Sequence, residues 1–294
     1  MKLAIHNWMR AESLETTMAR IADMGYTHLE IQGTPKNYDT KEVKALLDKY
    51  QLQCWGSVTL MLEDRNMLAK DAAQRKTSVQ YVLDVAKMVS ELGGSVISLV
   101  PATVGKIVPD ARPEEEWDWA VEGIKEVYEY TEANGLKIGI EPINRFETYF
   151  INRGEQALSL AEAVGPNCGV CLDTFHMNLE EEDMFATMKK VGSRLINFHV
   201  ADNNRMAPGM GHFDWKRVME TLKEINYTQV LSVEFCPPMD RTPANPYPNS
   251  IDTAPVGLSD KQLKFLQDHG SSAVTEAFYS MLTKKSINTL KPFL

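Results

Sequence analysis

The chain has 294 residues, 44% hydrophobic and 24% charged, enough for one large core and within the range of single-domain α/β barrels. A net charge of -9 and a pI of about 5.3 argue against a phosphate-binding surface of clustered Lys and Arg, so no nucleic-acid partner is expected. No apolar run approaches the roughly 18 residues of a membrane span, and Met1-Lys2-Leu3-Ala4 runs directly into strand-like sequence, so no membrane association and a cytoplasmic location are expected.

In chain order, residues 3–7 read as a first strand. Residues 13–24 have helical spacing, with Ser13 as N-cap and Gly25 as the stop. A strand at 28–32, a helix at 40–50 and a strand at 53–59 follow. A long helix at 71–92 is closed by Gly93-Gly94, and a fourth strand covers 95–100. The helix over 113–133 carries Pro near its start and Asn134-Gly135 at its end. Four further strands, 136–140, 168–173, 195–199 and 231–234, alternate with helices at 152–164, 181–191 and 215–225.

Eight strand–helix alternations at a period of about 30 residues predict a single-domain (β/α)8 TIM barrel over residues 1–294. A doubly wound open sheet is the alternative, but the first βα turn carries no G-x-G-x-x-G. One stretch departs from the rhythm. After Glu234, residues 237–258 hold prolines at 237, 238, 243, 246, 248 and 255, which exclude helix and strand interiors. This predicts a long, stiff loop at the barrel mouth, a place where long loops are commonly functional. A last helix is expected near 259–282, and residues 284–294 are expected to form a tail for docking on another subunit.

Cys168 and Cys171 form a C-x-x-C inside a strand pattern, with no second pair to complete a zinc site, so buried free thiols are expected. The chemistry lies in how the last four strands end. Each runs from apolar residues into a polar one: Glu141, Asp173, His199 and Glu234, spaced 32, 26 and 35 residues apart. A charge at the end of a buried strand is costly unless it is paired or bound to a metal. Spacings of one βα unit would place all four on one face of a barrel, the face that carries catalysis. Three oxygens and one nitrogen suit Mn²⁺ first, with Co²⁺ and Mg²⁺ as alternatives, better than a thiolate-rich zinc site. A divalent ion flanked by two carboxylates suits enolisation next to a ketone, with Glu141 and Glu234 as acid and base on opposite sides of a bound ligand. Glu147, His176 and Arg205 fall in the βα loops just past ligands, where each can face the same pocket. Trp8, Trp55 and Phe150 could wall a sugar face or belong to the core, and His6 and His28 read as satisfied barrel residues.

The segments Glu-Pro-Ile-Asn-Arg-Phe-Glu-Thr-Tyr-Phe-Ile-Asn-Arg (141–153), Leu-Asp-Thr-Phe-His-Met-Asn (172–178), Phe-His-Val-Ala-Asp-Asn-Asn-Arg (198–205) and Val-Glu-Phe (233–235) resemble the D-tagatose and D-psicose 3-epimerases, which are xylose-isomerase-like TIM barrels. The resemblance implies Glu141, Asp173, His199 and Glu234 as metal ligands and Glu141 and Glu234 as the acid/base pair. It implies Glu147, His176 and Arg205 as the residues that bind the substrate's reacting oxygens. It also implies a sugar substrate and a homo-oligomer. The long loop after Glu234 and the stretch 101–110 depart from the epimerases. A second group on the same barrel, the large subunit of C-glycoside deglycosidases, would start from the same proton abstraction but end in elimination from a 3-oxo-glucoside, with a small second subunit as partner. An aldose–ketose isomerase would differ only in where the sugar sits.

Overall fold

The helices start and stop where side chains satisfy their terminal backbone groups. The Ser13 hydroxyl accepts from the Thr16 N–H to open α1 (Leu14–Met24), and Gly25 closes it at φ 92°, a conformation that costs glycine nothing. Asp39 caps α2 (Thr40–Tyr50) and Asp71 caps α3 (Ala72–Glu91) in the same way. Pro113 opens α4 (Pro113–Ala133), and Glu115 Oε2 accepts from the Arg112 backbone N–H at 3.2 Å.

Between the helices run β1 (Lys2–His6), β2 (His28–Gly33), β3 (Gln53–Thr59), β4 (Val96–Leu99), β5 (Lys137–Ile140), β6 (Gly169–Asp173), β7 (Leu195–Val200) and β8 (Val230–Val233). All are parallel and pair in chain order, and β8 closes back onto β1 from Lys2↔Val230 to Ile5↔Val233. In this computed structural model, residues 1–251, 260, 263 and 274–294 are described. The expected (β/α)8 barrel is the observed architecture.

Helices cover the outside of the barrel and side chains fill the inside, so the central strands are buried on both faces, as along the whole of β6 and β7. The barrel interior is not purely apolar. Glu30, Ser57, Ser98, Asn197 and Ser232 all have no exposed surface. Register shifts between Leu29 and Glu30 and between Val170 and Cys171 kink the ladder beside two of these interior positions.

Three expectations change. After α5 (Gly154–Val164) and β6, a short helix α6 (Thr174–Glu180) fills the loop expected to be irregular, because Asp173 at the strand end is also its N-cap. It precedes α7 (Met184–Val191) and α8 (Trp215–Glu224). The last helix is described from Glu276 to Leu290, and the part expected from residue 259 lies largely outside the described residues. Residues 284–294 are not a tail: most continue that helix, and Ser286, Ile287 and Leu290 are buried in the core. The described part of the Pro-rich loop is pinned to the same helix. Tyr247 packs on Phe278 with ring centroids 5.1 Å apart, and Ile251 bridges Val274; residues 252–258 lie outside the described residues.

Candidate active site and metal centre

The four strand-end residues converge. One ligand atom from each of Glu141, Asp173, His199 and Glu234 lies within 4.8 Å of the other three, and all four residues are buried. Local structure explains each placement. Glu141 and Glu234 stand one residue past β5 and β8, where their backbone N–H groups still bond to Leu99 and Val200 of the neighbouring strands. Asp173 ends β6, and its Oδ1 accepts from the N–H groups of Phe175 at 2.6 Å and His176 at 3.1 Å, which leaves Oδ2 for the cluster. His199 lies near the end of β7, with Nδ1 2.9 Å from both Glu141 Oε1 and Glu234 Oε2.

The arrangement fits a divalent cation. Octahedral ligands at about 2.1 Å are separated by about 3 Å along an edge and about 4.2 Å across; here the atoms lie within 4.8 Å of one another, and His199 Nδ1 is 2.9 Å from an oxygen of Glu141 and of Glu234. Three carboxylates around one imidazole are electrostatically unfavourable together without a cation between them. Burial raises the Glu141 carboxyl above the usual range, and the neighbouring Glu234 adds to this against the pull of His199. Burial also acts on Glu234, but His6, His199 and Arg205 outweigh it and hold that carboxyl down. Burial would lower the His199 imidazolium, yet the carboxylates around it raise it well above the ordinary value.

A cavity of about 1380 Å³ opens beside the cluster, walled by loops that follow the C-terminal ends of the strands. It includes Asn7 and Trp8 after β1, Glu147 after β5, Arg205 after β7 and Cys236 after β8. Trp8 joins the cavity to the cluster by donating Nε1–H to Glu234 Oε1 at 3.2 Å. Arg205 Nη1 pairs with Glu147 Oε1 at 2.7 Å, and Asn144 Nδ2 donates to the same oxygen at 2.8 Å. The guanidinium also stacks on the Phe175 ring at 4.8 Å. Arg205 takes φ +59°, unusual for a side chain of its size. Buried Asp202 fixes that loop by accepting from the N–H groups of Gly209 and Phe213 and from Trp215 Nε1–H. His176 is buried and tied to Asn144, whose backbone N–H donates to Nδ1 at 3.2 Å, so the neutral ring carries its proton on Nε2.

Trp55 and Phe150 take the core reading, and the reading of His6 as a satisfied residue is corrected. Trp55 is at the other end of the barrel: its Nε1–H donates to Asn197 Oδ1 at 2.9 Å, and it lines a separate cavity with Lys2, His28 and Gln53. Phe150 packs between Trp117 and Tyr149. His28 is satisfied through Thr27 Oγ1 at 2.8 Å, but His6 is not, since neither ring nitrogen has a hydrogen-bond partner. Its Nε2 lies 3.8 Å from both Glu30 Oε2 and Glu234 Oε1. Glu30, in the middle of β2, escaped the sequence reading entirely. Burial would raise its carboxyl, but His199, His6 and the hydrogen bonds from His199 and Ser232 hold it down to about 2. The available signal was the strict alternation His28-Leu29-Glu30-Ile31-Gln32, which puts Glu30 on the opposite face of the strand from Leu29 and Ile31. All four cysteines are free and buried, and burial pushes the Cys168 thiol up to about 12.

A closed barrel with a convergent acidic cluster and a deep cavity at the strand C-termini is the frame of an α/β-barrel enzyme. The chain belongs to the xylose isomerase-like TIM barrel family, whose model matches residues 18–266. It is 29% identical over 230 residues to a D-psicose 3-epimerase of Ruminiclostridium cellulolyticum, covering 73% of this chain and 75% of that protein. It is 28% identical over 227 residues to an L-ribulose 3-epimerase of Methylomonas sp., covering 76% and 79%. Among solved structures, the D-psicose 3-epimerase of Clostridium cellulolyticum H10 with D-tagatose superposes with a TM-score of 0.82 at 24% identity over 100% of this chain and 99% of that one. The protein is a sugar epimerase/isomerase-like enzyme. No helix among the described residues is long and apolar enough to cross a membrane.

Proposed function

We propose that the protein is a divalent-metal-dependent ketose 3-epimerase, with Glu141, Asp173, His199 and Glu234 as ligands. The observation that carries this reading is the convergence of those four residues from four successive strands, with an oxygen of Glu141 and one of Glu234 each 2.9 Å from His199 Nδ1. Mn²⁺ is the proposed ion, with Co²⁺ or Mg²⁺ able to replace it. A divalent cation there supplies Lewis acidity that acidifies the proton beside a ketone.

The protein's own groups do the rest. Glu141 and Glu234 are the acid/base pair: one carboxylate removes the proton at C3 from one face and the other returns a proton from the opposite face. Arg205, held in place by Glu147, is positioned on the cavity wall to stabilise charge that develops on the substrate oxygens. His176 orders the loop after β5 through Asn144 and offers Nε2–H as a further donor.

A sugar substrate, a homo-oligomer and a cytoplasmic setting complete the proposal, and the 237–258 loop is the proposed determinant of substrate choice. The epimerase relatives favour this reading over elimination from a C-glycoside with a small second subunit, and over aldose–ketose isomerisation. The test is incubation with Mn²⁺ and a panel of ketohexoses in D₂O, followed by NMR. Deuterium at C3 with a new epimer is the expected result; deuterium at C1 or C2 with an aldose would move the reading to isomerisation. Glu141→Gln and Glu234→Gln are each expected to lower turnover by at least about 10²-fold with the fold intact, and full activity in either would remove that residue from the acid/base pair.

A further inference from the structure

Glu30 has no exposed surface and lies inside the barrel, next to His6 in the β1–β2 register. A carboxylate in that position is tolerated only if donors surround it. They come from three other strands. Ser98 Oγ donates to Oε1 at 3.1 Å, Ser232 Oγ donates to Oε2, and Asn197 Nδ2 sits 3.0 Å from both oxygens. The remaining neighbour is His199 Nε2, 3.3 Å from Oε1. Glu30 is therefore bonded to the far side of the imidazole whose Nδ1 faces Glu141 and Glu234.

The orientation of Asn197 narrows what His199 can do. Its Oδ1 accepts from Trp55 Nε1–H and from the Phe198 backbone N–H, both at 2.9 Å. Both groups only donate, so the amide cannot be flipped, and Nδ2 must face Glu30 and His199. Nδ2 also lies 3.0 Å from His199 Nε2. The neutral ring, the form a cation requires, has two tautomers. In one, Nε2 accepts from Asn197 and Nδ1–H is shared by Glu141 and Glu234. In the other, Nε2–H donates to Glu30, and the Nδ1 lone pair points at the carboxylate cluster. Only the second can bind a cation. Two acceptors lie within reach of Nε2–H: Ser98 Oγ at 3.5 Å, which already accepts from Asn197 Nδ2, and the Glu30 carboxylate at 3.3 Å, the charged and closer one.

We propose that Glu30 is a positioning residue for the metal centre: by accepting the His199 Nε2–H it holds the imidazole with Nδ1 free to ligate. The proposal rests on the metal reading above. A carboxylate behind a ligating histidine fixes its tautomer, and losing such a partner costs about 10- to 100-fold in metal affinity.

The experiment measures Mn²⁺ affinity by the electron paramagnetic resonance signal of the free ion, for the wild-type chain, Glu30→Gln and Ser232→Ala. Ser232→Ala removes a buried hydrogen bond to the other Glu30 oxygen and leaves Oε1 to His199. The wild type is expected to bind one Mn²⁺, Glu30→Gln to bind about 10- to 100-fold more weakly, and Ser232→Ala to stay close to wild type. Glu30→Gln binding as tightly as wild type, or Ser232→Ala weakening binding equally, would overturn the positioning role and leave the metal reading standing. A wild type that binds no divalent ion would overturn both. Where Glu30→Gln does not fold, long-range ¹H–¹⁵N correlations of the ¹⁵N-histidine-labelled wild type with Mg²⁺ decide the matter. A His199 Nε2–H shifted downfield by its bond to the Glu30 carboxylate is expected; an Nε2–H without that shift would overturn the positioning role, and protonated Nδ1 would overturn the metal reading with it.

Discussion

Arg205 and Glu147 stand side by side on the cavity wall, and their value lies in geometry as much as in charge. Glu147 Oε1 accepts from both Arg205 and Asn144, which links the loops after β7 and β5. Glu147→Gln keeps an acceptor oxygen and removes the ion pair. A hydrogen bond to a charged group is worth about 1.5–3 kcal/mol, so kcat/KM is expected to fall about tenfold to hundredfold; steady-state kinetics on the epimerised ketose check this. At the opposite end of the barrel, burial together with Lys2 lowers His28 from 6.5 to about 4. The folded protein therefore resists protonating this ring when the unfolded chain already accepts the proton. The stabilising contribution is complete above pH 6.5 and is lost as pH falls from 6.5 towards 4. His28→Gln is expected to flatten the stability profile across that window and leave it unchanged above it, as read by urea denaturation at a series of pH values.

At the scale of elements, α6 and the proposed metal centre share one residue. Asp173 uses Oδ1 to cap the helix, so the proposed ligand and the helix start are fixed by the same side chain. Asn is as good an N-cap as Asp, whereas Ala costs about 1 kcal/mol. Asp173→Asn is therefore expected to melt within about 1 kcal/mol of wild type and to bind Mn²⁺ markedly more weakly. Asp173→Ala should lose both. Thermal denaturation and metal titration of the two variants separate the roles, and an Asn variant with wild-type affinity would remove Asp173 from the ligand set.

At the scale of the whole molecule, the proposed ion would join β5, β6, β7 and β8, half of the barrel, through one point. Binding to the folded state alone stabilises by about 2.7 kcal/mol at a hundredfold excess over Kd. Mn²⁺ is thus expected to raise the melting temperature, EDTA to lower it and remove activity, and added Mn²⁺ or Co²⁺ to restore both. Calorimetry with and without chelator reads this, and an active protein shown to be metal-free would end the metal argument. The orphaned ring of His6, 3.8 Å from Glu30 and Glu234, lies at the same centre, where buried polar groups are still short of partners.

The amino-acid sequence by itself determined the eight-unit alternation and the residues at the strand ends. Both are local properties: periodicity, caps such as Ser13 and Asp71, and a polar side chain closing an apolar run. The 32-, 26- and 35-residue spacings were enough to place Glu141, Asp173, His199 and Glu234 on one face. Only the tertiary structure decided which other polar residues belong with them. Glu30 and Asn197 are 167 residues apart, and Trp55 and Asn197 142 apart, so no local pattern could bring them together. The burial of Ser286, Ile287 and Leu290 was likewise hidden, because a helix whose buried face docks on the barrel differs little in sequence from an amphipathic tail. Barrel closure selects these contacts: it brings side chains from separate strands into one interior, where a charge must find its partners or not be there at all.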